Sequence, residues 1–226
     1  MPPPFRYILF DLDNTLIDRV AGVRYLGKTL YESDVLDQTK HSIENAVEIF
    51  ERIDADGYQP DKLKLFTDLA NEWGPMKRTP HELVDWYMSA PRDWFEPDPA
   101  VTDFLNYLND SRVAWGIVTN GDSVQTEKAR LCLVDEGAKC IVVSKVFGVS
   151  KPDPSIFHEA LKHLGNPSPE EVLFVGDNPT ADVVGAANIG MQTAWIIRNR
   201  DWPTELPEPN YSFDSVTEVR GLVDRH

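Results

Sequence analysis

Five short segments of the chain are apolar almost without interruption: residues 7–10, 113–118, 140–144, 172–175 and 193–197. Continuous rather than alternating hydrophobicity is the pattern of parallel strands covered on both faces. Stretches with helical signals, such as 154–164 and 179–189, fall between the later segments. Strands alternating with helices predict an α/β fold built on a doubly wound parallel sheet. On such a sheet, functional residues gather beyond the carboxyl ends of the strands.

The gap between the first two strands breaks this rhythm, because it is far longer than an ordinary connection and carries helical periodicity throughout. Ile43, Ala46, Val47 and Phe50 fall at i, i+3, i+4 and i+7. Leu63, Phe66, Leu69, Ala70 and Trp73 form a second stripe of that kind. Thr79-Pro80-His81-Glu82 reads as a capping box with proline at the first helical position. Asp98-Pro99 then opens a helix whose buried face is Val101, Phe104, Leu105 and Leu108. The pattern predicts a core domain made of 1–18 and 98–226, with an inserted α-helical domain at 19–97. The proline-containing tail at 201–210 predicts an extended surface loop.

Composition narrows the function classes. The formal charge of −15 argues against nucleic-acid binding, which needs clustered Lys and Arg to neutralise phosphates. It also means that a small anionic substrate must be attracted locally, by a metal or a few placed cations. No apolar run approaches the roughly 18 residues of a membrane helix, so no membrane partner is expected. Met1-Pro2-Pro3-Pro4-Phe5-Arg6 lacks the features of a secretory signal, and Cys132 and Cys140 alone make neither a disulfide framework nor a good zinc site. A cytoplasmic location is the expectation.

Candidate chemistry sits at the strand ends. Strand one runs into Asp11-Leu12-Asp13-Asn14-Thr15, where residues i and i+2 of an extended chain point to one side. Two adjacent carboxylates repel unless a cation intervenes or one holds a proton. The ordinary reading is an acidic, turn-forming strand end. A calcium loop fits poorly, with Leu16 where that loop needs glycine. Strand two ends in Val118-Thr119-Asn120-Gly121, a strand-to-helix turn with N–H donors available to an anion. Lys151-Pro152-Asp153-Pro154 follows strand three on a stiffened turn that can deliver a positive charge to a fixed point. Strand four ends in Gly176-Asp177-Asn178-Pro179, with Asp182 in the first turn of the next helix. Each of these has a bland alternative when taken singly. Together, in order at the ends of successive strands, they would meet in one crevice.

Asp11-x-Asp13-x-Thr15, Thr119-Asn120, Lys151-Pro152 and Gly176-Asp177 with Asp182 resemble the four motifs of the haloacid dehalogenase superfamily. The resemblance spans nearly the whole chain, and the helical insertion resembles a cap of the C1 type. It implies Asp11 as a nucleophile that forms an aspartyl-phosphate later hydrolysed by water. Asp13 would protonate the leaving oxygen, then deprotonate that water, and its backbone carbonyl would bind metal. Thr119 and the backbone of Asn120 would grip phosphoryl oxygens. Lys151 would neutralise charge on Asp11 and the phosphate. Asp11 and Asp177 would hold Mg²⁺, with Asp182 orienting the shell and Thr15 and Gly176 supporting. The substrate implied is a small phosphorylated metabolite. Two unit charges about 4 Å apart interact by ~4 kcal/mol at an effective dielectric near 20. A carboxylate approaching a phosphate dianion therefore needs those cations.

Rival readings are a haloacid dehalogenase, a phosphomutase and a receiver-like phospho-switch. Asp13 tells against the first. The second also uses both aspartates, so the sequence separates it poorly. The third places its acceptor on the third strand and has no helical insertion. His158 and His163 stand five apart, not the four of a zinc-protease helix. Trp73, Trp86, Tyr87, Trp94 and Phe95 are expected to pack a core, the alternative being a substrate-stacking wall. Arg19, Arg24 and Lys28 are expected to be solvated helix charges, the alternative being contact with an anionic substrate group.

Overall fold

The computed structural model describes residues 5–33, 35, 40–54, 61–74, 76–89 and 95–224. The chain divides into two compact units, Met1–Ile17 with Glu96–His226, and Asp18–Phe95.

In the first unit, six parallel strands form one sheet: β1 Tyr7–Phe10, β2 Ala114–Thr119, β3 Ile141–Val143, β4 Val172–Gly176, β5 Gln192–Ile196 and β6 Tyr211–Phe213. Their order across the sheet is β3-β2-β1-β4-β5-β6. The order reverses between β1 and β4, and a crevice opens at the carboxyl ends of the strands there. Phe10 lies level with Ile117 and Val175, so the residue after β1 emerges beside the ends of both neighbours. The Asp11 N–H continues the ladder by donating to the Val175 carbonyl at 2.8 Å.

The second unit is helical: α1 Arg19–Glu32, α2 Ile43–Asp54, α3 Lys62–Trp73 and α4 Pro80–Ser89. Most of the predicted stripes form one core, in which Ala46 and Phe50 of α2 meet Phe66, Leu69 and Trp73 of α3 and Leu83 of α4, whereas Leu63 is exposed and Leu65 is buried instead. The capping box forms, with the Thr79 N–H donating to Glu82 Oε2 at 2.7 Å and the Glu82 N–H to Thr79 Oγ1 at 3.3 Å. Trp73, Trp86 and Tyr87 pack into or against this core, as expected, while Trp94 lies outside the described residues. Arg19 departs from expectation. It is buried, with Nη1 2.5 Å from Asp54 Oδ2. Asp54 closes α2 inside the unit, and a buried carboxylate without a partner would cost several kcal/mol. Arg24 and Lys28 are exposed and pair with Glu51 and Glu32.

Returning to the sheet, α5 Pro99–Asp110, α6 Val124–Leu131, α7 Ser144–Phe147, α8 Pro154–His163, α9 Gly185–Ala187 and α10 Arg220–Val223 complete the first unit. α8 buries Ile156, Phe157, Ala160 and Leu161 against Leu9, Val118, Val142 and Phe174 of the strands. α5 buries Val101, Phe104, Leu105 and Leu108, with the Phe104 ring edge-on to Phe10 at 6.1 Å. Three details differ from the sequence expectation. Ser144 opens α7 instead of ending β3. The segment read as one helix at 179–189 is a π-helical turn, Pro179–Val184, running into α9. A sixth strand, β6, follows the tail. Its three residues sit at the sheet edge, half-exposed, and offer too short a pattern to register.

Candidate active site

The ends of β1 and β4 bring Asp11 and Asp177 together, and the π-helical turn adds Asp182. One oxygen from each of these three carboxylates lies within 4.8 Å of the others, and all three residues are buried. Among the described residues this is the one His/Cys/Asp/Glu cluster with ligand spacing. Lys151 enters from the loop after α7. Its Nζ donates to Asp11 Oδ1 at 2.6 Å and to the Val118 carbonyl at 2.7 Å, and lies 2.7 Å from Asp182 Oδ1.

Local chemistry fixes each of these groups. The Asn120 side chain clamps the backbone of Lys151, Oδ1 accepting its N–H at 2.9 Å and Nδ2 donating to its carbonyl at 3.0 Å. Asn120 thus ties the end of β2 to the lysine loop, a task the sequence did not suggest for its side chain. Asp153 caps α8 by accepting the Ser155 N–H, which anchors the other side of that loop. A Cβ on Gly176 would come 2.3 Å from Asp182 Oδ2, so only glycine lets Asp182 fold back beneath the strand end. Asp182 Oδ2 also accepts the Asn178 N–H at 2.9 Å. Thr15 Oγ1 stands 3.5 Å from Asp11 Oδ2. The loop between them turns at Asn14, which is left-handed with φ 61 and donates its N–H to the Ile17 carbonyl.

The cluster is short of positive charge. Burial, with Asp182 and Asp177 close by, pushes the Asp11 carboxyl well above its usual range despite the pull of Lys151. Burial and Asp182 likewise raise Asp177 to about 7, against the pull of Arg200 and Lys151. Burial works against the Lys151 ammonium, yet Asp11 and Asp182 overcome it and hold the group above the ordinary lysine value. Crowded hard oxygens that resist full ionisation are suited to a small divalent cation such as Mg²⁺, which prefers oxygen ligands.

Two further groups went unread in the sequence. Arg200, just beyond β5, donates from Nη2 to the Asp177 carbonyl at 2.7 Å and to its Oδ2 at 3.0 Å. Trp195 Nε1 donates to the same carbonyl at 2.9 Å. The rule that strand ends carry function, extended to the fifth strand, would have pointed to Arg200. The second group is on α6, where Gln125 and Lys128 both reach Asp13. Cys132 and Cys140 are free, and burial pushes both thiols up to about 11. His163 reaches only Glu159, at 3.4 Å on the surface of α8.

Residues 5–190 match the haloacid dehalogenase-like hydrolases, and the chain belongs to that family. It is 29% identical to the glyceraldehyde 3-phosphate phosphatase of Pyrococcus furiosus, over 97% of this chain and 92% of that protein. Identity to the N-acylneuraminate-9-phosphatase of Homo sapiens is also 29%, over 96% of this chain and 93% of the relative. Among solved structures, the putative HAD-hydrolase YfnB from Bacillus subtilis, bound to magnesium, superposes with a TM-score of 0.77. That likeness covers 98% of this chain and 100% of the other at 22% identity, and speaks for the fold.

Proposed function

We propose that the protein is a Mg²⁺-dependent phosphatase that hydrolyses a small phosphate monoester through an aspartyl-phosphate on Asp11. The observation that carries this reading is the convergence of Asp11, Asp177 and Asp182 within 4.8 Å, with Lys151 bonded to Asp11. Relatives aligned over nearly the whole chain are phosphatases of small phosphorylated compounds, and their substrates differ from one another. The substrate is accordingly given as a class.

Asp11 and Asp177 would hold the ion together with the backbone carbonyl of Asp13, and Asp182 would steady the arrangement from beneath. When bound, Mg²⁺ supplies the positive charge that lets a carboxylate and a phosphate dianion approach. Asp11 then attacks phosphorus, forming a new O–P bond as the bond to the leaving oxygen breaks. Asp13, entering as the carboxylic acid, passes its proton to that oxygen. Thr119 and the Asn120 backbone bind the transferring phosphoryl oxygens, and Lys151 balances charge on Asp11 throughout. In the second half, water attacks the same phosphorus while Asp13, now a carboxylate, takes its proton. The Asp11–phosphate bond breaks, returning Asp11 and releasing inorganic phosphate.

A panel of phosphate monoesters assayed with Mg²⁺, with EDTA, and with Asp11→Asn tests the reading. Turnover of at least one ester should be abolished by chelation and should fall by about 10³-fold or more in the variant. Metal-independent release of halide from a haloacid, with no ester turned over, would overturn it.

A further inference from the structure

Gln125 and Lys128 lie one helical turn apart on α6 and share a face. Both are buried, at 5% exposure each, which is unusual for an amide and an ammonium without work to do. Lys128 Nζ donates to Asp13 Oδ1 and, at 2.9 Å, to Gln125 Oε1. Gln125 Nε2 donates to Asp13 Oδ2 at 2.8 Å and to Thr119 Oγ1 at 2.8 Å. The network fixes its own polarity. An ammonium only donates, so Gln125 must turn its oxygen to Lys128 and its NH₂ to Asp13 and Thr119.

We propose that Gln125 and Lys128 are positioning residues that lock Asp13 and Thr119 into one reactive arrangement. The proposal rests on the acid–base reading of Asp13 given above. Asp13 follows Leu12 in a tight loop, and its side chain is about one-fifth exposed, at 21%. Donors on both of its oxygens select one orientation of the carboxyl. Both donors favour the ionised carboxyl, so the clamp orients Asp13 rather than protonating it, and each oxygen keeps a second lone pair for the proton that Asp13 passes on. Thr119 is oriented by the same amide. Because its Oγ accepts the Gln125 N–H, its own hydrogen is directed elsewhere, as a donor for a phosphoryl oxygen. One glutamine thereby couples the proton-transfer residue to the phosphate grip, and Lys128 holds that glutamine in place.

The test uses Lys128→Met, Lys128→Arg, Gln125→Met and Asp13→Asn in the full chain. Phenyl phosphate and p-nitrophenyl phosphate are compared by kcat/KM, since the less acidic phenol needs its proton more. Lys128→Met should lose about 10–100-fold on phenyl phosphate, part of the roughly 10²–10⁴ that general acid–base catalysis supplies. It should lose several-fold less on the nitrophenyl ester, and Lys128→Arg should recover part of the loss. Gln125→Met should show the same skew plus a raised KM. The rise in melting temperature on adding Mg²⁺ should match the unsubstituted protein in Lys128→Met, Lys128→Arg and Gln125→Met, because the acidic cluster is untouched. Equal losses on both esters in Lys128→Met and Gln125→Met, with Asp13→Asn still skewed, would overturn the proposal alone. No skew in Asp13→Asn would remove the acid–base reading beneath it.

Discussion

Two buried lysines each bind an aspartate of the loop after β1, and the regions around them are built on opposite electrostatic plans. Around Lys151 stand Asp11, Asp177 and Asp182, with Arg200 approaching from the side of Asp177. Carboxylates outnumber cations there, and Asp11 and Asp177 are pushed to higher pKa by burial and by Asp182 close to both. Around Lys128 the pairing is one carboxylate to one ammonium, with a neutral amide bridging them. The first region has more carboxylates than cations beside them and suits a further cation. The second joins a carboxylate, an ammonium and a bridging amide, as expected of a device that orients rather than binds. A buried lysine therefore reports little alone; the charge count of its neighbours tells which kind it is.

The strongest way to break this contrast is to remove each lysine in turn. Lys151→Met should cost on the order of 10²–10³-fold in kcat, the loss typical of removing a preorganised charge partner from a reacting centre. That loss should exceed the one in Lys128→Met. It should also enlarge the Mg²⁺-induced rise in melting temperature, since the ion becomes the chief neutralising charge for Asp11 and Asp182. Thermal melts with and without Mg²⁺, beside steady-state rates, give both readings. A Lys151→Met protein with an unchanged Mg²⁺ increment would erase the distinction.

Legibility in the sequence follows the same division. The convergence of Asp11, Lys151 and Asp177 was readable because each ends or follows an apolar strand, and parallel strands carry their ends to one place. The helical unit was readable through periodicity alone, since Phe50, Phe66, Leu69 and Trp73 repeat at helical spacing. Arg19 was misread because charge in a helix is ordinarily solvated, and its partner Asp54 stands 35 positions later, beyond any local pattern. Gln125 and Lys128 left no trace for a related reason. On α6 they look like an ordinary polar face, and only the folded chain brings Asp13 across from more than a hundred residues away. Motifs at strand ends are local signals, whereas the residues that steady them are tertiary ones.

Arg200 gives a smaller and sharper test. Its guanidinium binds the carbonyl and one carboxylate oxygen of Asp177, a member of the acidic cluster. Groups that orient a metal ligand in this way are commonly worth about 10–100-fold in affinity. Arg200→Ala should weaken Mg²⁺ binding by about tenfold in calorimetric titration, and saturating Mg²⁺ should restore most of the rate. Unchanged or tighter Mg²⁺ binding would make Arg200 a bystander or a competitor for the ligand, and the charge count of the acidic region would need redrawing.

The finest distinction is in pH. A carboxyl raised in the folded chain keeps a proton that the unfolded chain has already lost. For Asp177 that window runs from the ordinary carboxyl value near 4 up to about 7. Through it the unfolded state binds fewer protons at this position, so the contribution of Asp177 to the stability of the metal-free protein falls as pH rises and levels off above about 7. On the reading proposed above, Mg²⁺ would bind the ionised carboxylates, so its stabilising effect should grow across the same interval. Surface carboxylates titrate here too, and the clean reading is therefore a difference between the unsubstituted protein and Asp177→Asn. The metal-free melting temperature should decline less from pH 5 to 8 in the variant, and the Mg²⁺ increment of the unsubstituted protein should be larger at pH 8 than at pH 5. Lys128→Met should leave that increment and its pH dependence alone. An increment no larger at pH 8 would mean that the acidic cluster is already neutralised without an ion, and the two lysine regions would then differ in sequence but not in kind.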